Sequence, residues 1–71
     1  MNLEEEIKEL GYAFRDITYH TEDHKGQGKY SCRLGYSFLK GIKGKWEFWG
    51  HTPLEAVLKA KEALAQVYKE D

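Results

Sequence analysis

Residues 29–38 alternate strictly between two kinds of side chain, and this pattern constrains the fold more than any other feature of the chain. The alternation sets the apolar Tyr30, Cys32, Leu34, Tyr36 and Phe38 against Lys29, Ser31, Arg33, Gly35 and Ser37. Because successive side chains of a strand point to opposite faces, the pattern predicts a strand with one face in a core and the other in water.

Two further strands are predicted, one on each side of it along the chain. Residues 12–19 are rich in aromatic and β-branched residues, but their alternation changes phase between Phe14 and Ile17, as a β-bulge would cause. After a glycine-containing turn, residues 45–49 alternate again, and Trp49 falls on the polar side.

Helices are predicted at both ends from their capping signals. Asn2 can cap a first helix, whose apolar repeat stops at Gly11. Thr52, Pro53 and Glu55 form the most explicit start signal, with threonine as N-cap, proline at the first helical position and glutamate closing a capping box. The second helix that follows carries an apolar stripe along one side.

The predicted order is α-β-β-β-α, an α+β fold with a single domain over residues 1–71. Short connections favour a meander of three antiparallel strands, with the two helices on the same face of the sheet and the other face open. The predicted core contains Leu3, Ile7, Leu10, Phe14, Tyr30, Cys32, Leu34, Tyr36, Phe38, Trp46, Phe48, Val57, Leu64 and Val67.

Length and composition limit what such a domain can be. With 71 residues, 41% of them hydrophobic, there is one small core, and only ~3–5 kcal/mol of stability is expected at this size. Pairing with a second copy, a homodimer, would add to it. No apolar run approaches the ~20 residues of a membrane span, and the chain begins with acidic residues where a signal peptide would be basic. We therefore expect a cytoplasmic protein with no membrane partner.

Charge is segregated along the chain, although the formal net charge is only −1. Residues 24–45 contain six basic residues and no acidic one, whereas residues 1–23 and 46–71 are both net acidic. Two interpretations are open: solvated lysines that keep a hairpin soluble, or a surface for an acidic or polyanionic partner.

The segment 50–64 resembles the strand-to-helix junction of HicB-like antitoxins, whose pattern is roughly G-D-T-x-E-E-A-x-x-N-A-x-E-A. The matching residues are Gly50, Thr52, Glu55, Ala56, Ala60, Glu62 and Ala63. The resemblance covers about the last third of the chain and implies an origin among small proteins of phages and mobile elements. A structural explanation accounts for the same residues, since glycine ends the strand, threonine caps the helix and alanines let it lie close to the sheet.

The element order also resembles the double-stranded RNA-binding domain, whose last helix opens with phosphate-binding lysines. Pro53, Leu54 and Val57 stand at those positions here. Because phosphate contacts supply most of the affinity for a duplex, this resemblance implies the shape without that binding mode. The toxins that pair with HicB-like antitoxins share the architecture too, but their catalytic histidine follows Gly-Ser on a strand, which no histidine of this chain does.

Signals for catalysis and cofactors are weak. His20 and His24 flank two carboxylates and could ligate a metal ion, but histidines four residues apart share a face only in a helix, and residues 20–28 have the composition of an exposed loop. Cys32, the single cysteine, has no base nearby in the sequence pattern. We therefore expect no enzyme, no catalytic residues, no metal and no cofactor.

The candidate partner-binding surface is the helix-free face of the sheet with its turns. It comprises Lys29, Arg33, Lys40, Lys43, Lys45 and Trp49. A tryptophan beside cations can stack on a base, hold a cation or anchor a protein interface, and it can also be simply half-buried by its neighbours.

These features favour a non-enzymatic binding protein of phage or mobile-element type that occupies a surface of a macromolecular partner. A protein partner comes first, and an inhibitor of a host defence protein, anti-CRISPR-like, is one such activity. The alternatives are a nucleic-acid-binding domain that uses the basic hairpin of residues 25–45, and a HicB-like antitoxin fragment.

Overall fold

A computed structural model describes residues 2–35 and 47–69, with side chains as far as Gln66. Its elements, in chain order, are helix α1 (Leu3–Leu10), a 3-10 turn (Gly11–Ala13), strands β1 (Phe14–Tyr19), β2 (Tyr30–Leu34) and β3 (Glu47–Gly50), and helix α2 (Pro53–Lys69). The strands form one antiparallel sheet in the order β1-β2-β3. The predicted α+β fold, with its meander and terminal helices, is confirmed.

The bulge predicted in β1 is present. Phe14 pairs with Leu34, but the next pair is Asp16 with Arg33, so the register shifts between Phe14 and Asp16. One residue is therefore extra on β1, and the side chains beyond it change face. Ile17 then pairs with Cys32 on the core side of the sheet.

The predicted strand limits were less accurate. Residues 12 and 13 belong to the 3-10 turn and not to β1, because Gly11 leaves α1 with a φ of 58° and the chain tightens before it extends. Tyr12 is consequently 98% exposed. The described part of β2 ends at Leu34, and the predicted strand residues 36–38, 45 and 46 lie outside the described residues.

Both helices contribute to one core on one face of the sheet. Of the predicted core, Leu10, Cys32, Leu34, Val57 and Leu64 are buried, while Leu3, Ile7, Phe14, Tyr30 and Phe48 are half-buried against them. Tyr36, Phe38 and Trp46 and the side chain of Val67 lie outside the described part. Three small residues, Ala13, Ala56 and Ala60, complete the buried cluster and bring the backbones close together.

The two helices are tied to each other by charge as well as by packing. Lys61 of α2 donates to Glu6 and to Glu9 of α1, at 2.7 Å in each case. These hydrogen bonds raise the pKa of Lys61 and lower that of Glu9. Asn2 caps α1 as predicted, since its Oδ1 accepts from the N–H of Glu4 at 2.8 Å.

The junction between β3 and α2 has the predicted cap. The Oγ1 of Thr52 accepts from the N–H of Glu55 at 3.0 Å. The Glu55 carboxylate accepts from the N–H of His51, also at 3.0 Å, one residue earlier than in a standard capping box. That N–H lowers the pKa of Glu55. Gly50 lies so close to α2 that an added Cβ would be 2.5 Å from the Ala56 nitrogen, so the residues of the junction have a packing role.

Candidate functional site

The helix-free face of the sheet carries two rows of side chains across the three strands. Asp16, Arg33 and Glu47 form one row by register, and Thr18, Ser31 and Trp49 form the next. We call these six residues the open face. Within the described residues, two carboxylates stand beside the arginine on this face.

Arg33 is held by a carboxylate on the neighbouring strand. Its Nε donates to Asp16 Oδ1 at 2.7 Å, and its Nη2 donates to Asp16 Oδ2 at 2.5 Å. This two-bond geometry is the strongest that a guanidinium makes with a carboxylate. The pKa of Asp16 is lowered by Arg33, and that of Arg33 is raised by Asp16. Much of the charge of Arg33 is thus compensated within the sheet.

Ser31 is completely buried although it lies on the open face. Its Oγ donates to Glu47 Oε2 at 3.0 Å and lies 2.9 Å from Nε2 of His20. A hydroxyl has a single proton, and Ser31 gives that proton to the carboxylate. The Nε2–H of His20 then donates to the Ser31 oxygen, which orients the imidazole ring. The chain His20, Ser31, Glu47 joins β1, β2 and β3 across the sheet.

The loop between β1 and β2 is folded back over this end of the open face. Its base is closed by the His20 N–H, which donates to the Lys29 carbonyl at 2.7 Å. Within the loop, the His24 N–H donates to the Gly28 carbonyl at 3.0 Å. Asp23 Oδ2 accepts from the Gly26 N–H at 2.5 Å, which holds the turn at its tip.

Two glycines allow the backbone of the loop to lie close to β3. Gly28 has a φ of +120°, a conformation that residues with a side chain rarely adopt, and a Cβ there would overlap the carbonyl group of Gly50. The loop backbone can therefore lie directly against the end of β3. This close approach is what brings the loop next to Trp49.

Three aromatic rings meet where the loop touches β3. The ring of His24 is stacked on Trp49, with centroids 4.1 Å apart and planes 9° from parallel. The ring of His20 contacts Trp49 at 4.3 Å and 43°. We call Trp49, His20 and His24 the Trp49 cluster. A cavity of about 330 Å³ opens beside it, lined by His20, Thr21, Glu22, Asp23, His24 and Trp49.

The predicted site residues are only partly brought together. Trp49 is half-buried and contacts the rings of His20 and His24. Lys29 is exposed immediately before β2, and Arg33 is paired with Asp16. Lys40, Lys43 and Lys45 lie outside the described residues.

The contacts of His20 and His24 with Trp49 were not predicted. One signal for His20 was available, because it continues the even-numbered alternation of Asp16 and Thr18 and so shares their face. No sequence signal places His24 on Trp49, since that contact depends on how the loop folds back.

Chemistry elsewhere in the described part of the chain is limited. Cys32 is fully buried, and burial raises the pKa of its thiol to about 11, which keeps it protonated at neutral pH. Within residues 2–35 and 47–69, no three or more His, Cys, Asp and Glu side chains are grouped so that they could hold a metal ion. No helix in these residues combines the length and the apolar character needed to cross a bilayer.

Comparison of the chain with protein-family models, with curated proteins and with solved structures finds no match.

Proposed function

We propose that this domain is a non-enzymatic binding module that occupies a surface of a protein partner, with the Trp49 cluster at the centre of its recognition surface. The observation that carries the proposal is the stacking of Trp49 on His24 beside a cavity. Tryptophan is enriched among the residues that dominate protein interfaces. A ring that is already held in place loses little conformational freedom on binding, so it is suited to act as an anchor.

The charges of the described open face favour a protein over a nucleic acid. Asp16 compensates Arg33, and Glu47 stands in the same row. A phosphate backbone would meet these carboxylates, and affinity for nucleic acid depends on the number of phosphates that cations neutralise. Binding of nucleic acid by the hairpin of residues 25–45 is the alternative outcome of the test below.

The kind of partner is proposed from the resemblance of residues 50–64 to HicB-like antitoxins. On that resemblance, and on the small size of the domain, we propose a cytoplasmic inhibitor of a host defence protein, of anti-CRISPR type. An antitoxin fragment that covers a toxin would use the same physical principle. Both activities require one tight protein interface and no chemistry at the site.

The test compares Trp49→Ala with Tyr12→Ala. Tyr12 is a matched control because it is an exposed aromatic residue before the start of β1, whereas the Trp49 cluster lies at the end of β1. Each tagged variant is used to capture a partner protein from nuclease-treated host lysate. The affinity of each variant for the captured protein is then measured. We expect Trp49→Ala to weaken binding by about 2 kcal/mol, roughly thirtyfold, and Tyr12→Ala to leave it unchanged.

Two results would contradict the proposal. Random-sequence duplex and single strands are titrated in parallel at two salt concentrations. Tight, strongly salt-dependent binding to either, with no protein captured, would replace the proposal by the nucleic-acid alternative. Equal affinities for wild type and Trp49→Ala at unchanged melting temperature would show that recognition uses another surface.

A further inference from the structure

We infer that the cavity beside the Trp49 cluster binds an arginine side chain presented by the protein partner. This inference rests on the proposed function and adds the chemistry of the group that is recognised. The cavity, of about 330 Å³, is open to solvent on one side and is large enough for one side chain.

The lining of the cavity is acidic. Glu22 and Asp23 supply two carboxylates, and neither lysine nor arginine lines it among the described residues. Asp23 uses Oδ2 to accept from Gly26, which leaves Oδ1 for a ligand. Glu22 is exposed and makes no hydrogen bond or ion pair with the other described residues. Two carboxylate side chains in one lining suit a cation with several donors.

Aromatic rings also line the cavity. Trp49 and His24 present nearly parallel rings, and His20 lies against the same indole. A guanidinium is planar, stacks on aromatic rings and donates five N–H groups in a fixed fork, whereas an ammonium is a compact and strongly hydrated charge. The combination of ring surface and carboxylates therefore favours arginine over lysine.

The site is formed before the partner arrives. The contact of Gly28 with Gly50 fixes the loop on β3, and the hydrogen bond from His20 to Ser31 fixes one of the rings. Binding then needs little ordering of the loop, which preserves affinity for a small group.

The first experiment needs no partner. In a Trp46→Phe background, N-acetyl-arginine methylamide is titrated at about pH 8, and Trp49 fluorescence and backbone amide shifts are followed. We expect a saturable response confined to residues 20–28 and 47–51. The neutral citrulline analogue should give none, and the lysine analogue should bind about fivefold or more weakly.

Variants then test the carboxylates. Glu22→Gln with Asp23→Asn keeps the shape and the turn hydrogen bond but removes the charges, and we expect about a tenfold loss of affinity for the arginine probe. Glu62→Gln, on the exposed side of α2, is the matched control and should change nothing. Equal responses to arginine and citrulline, or no response to either, would overturn the inference.

Binding of the partner protein distinguishes this inference from the proposed function on which it rests. Loss of partner binding in Trp49→Ala, but full binding in the Glu22→Gln, Asp23→Asn double variant, would leave the proposed function standing and refute the arginine site. Full partner binding in all of these variants would refute both.

Discussion

Arg33 and Asp16 lie opposite each other on β2 and β1 and are joined by two hydrogen bonds, at 2.7 and 2.5 Å. The pair exists because the bulge in β1 places Asp16, and not Arg15, in register with Arg33. A basic segment of the sequence is thereby changed into a locally balanced patch of the folded surface. The net charge of a sequence segment therefore does not predict the local charge of the folded sheet surface.

This pair should make stability depend on pH in the acid range. Arg33 lowers the pKa of Asp16 below its ordinary value of 3.8, so the pair stabilises the fold above that value and the contribution is lost as the pH falls through the lower, folded value. The free energy of unfolding is measured in urea between about pH 7 and pH 2. It should be larger for wild type than for Asp16→Asn at neutral pH, and the two values should converge in acid. Glu62→Gln is the control. A difference independent of pH would assign the effect to packing.

Gly28 should tolerate no side chain. Gly28→Ala places a Cβ on the Gly50 carbonyl and requires a positive φ, so we expect a loss on the order of 3 kcal/mol or more. Gly26→Ala is the matched control, because φ is +82° there but nothing lies within 4 Å of the added Cβ, and it should cost only roughly 1–2 kcal/mol. The two free energies of unfolding are compared in urea. Equal losses would mean that the loop does not pack on β3 as described.

The cap of α2 should be structural. Thr52→Ala removes the acceptor of the Glu55 N–H and should lower the free energy of unfolding by about 1 kcal/mol. Thr21→Ala, in the exposed loop, should cost less and serves as the reference for stability. If Thr52→Ala instead abolished partner binding at an unchanged melting temperature, the junction of residues 50–64 would be part of the interface.

Cys32 should be unreactive in the folded protein. Burial raises the pKa of its thiol to about 11, and the attacking species in thiol chemistry is the thiolate. Labelling by a disulfide reagent at about pH 8 should therefore be slow in buffer and fast in denaturant, and its rate should follow the population of unfolded chains. Rapid labelling without denaturant would show that β2 opens locally.

Local patterns were enough to predict much of the fold. The caps at Asn2 and Thr52, the polar–apolar alternation around Cys32 and the phase change in β1 all act over a few residues, so they can be read from the sequence. The 3-10 turn was not predicted. The aromatic and β-branched content of residues 12–19 suggested a longer strand, but the turn at Gly11–Ala13 delays the start of β1.

The candidate site was harder to predict from the sequence because it depends on contacts between elements. Trp49 was singled out by its phase on β3, but its partners His20 and His24 come from a loop whose path is set by two glycines. The pairing of Arg33 with Asp16 requires the register of the bulge in addition to its existence. Such relationships are set by three-dimensional packing, which no spacing rule contains.

The fastening of the loop by Gly28 and Gly50 also makes this domain a natural scaffold for selecting new binders. The loop is held by its base, by the turn at Asp23 and by the glycine contact, none of which uses the side chains of Thr21 and Glu22. A library randomised at these two exposed positions would vary the rim of the cavity while the frame stays constant. Specificity could thus be evolved separately from folding, as it is in antibody loops.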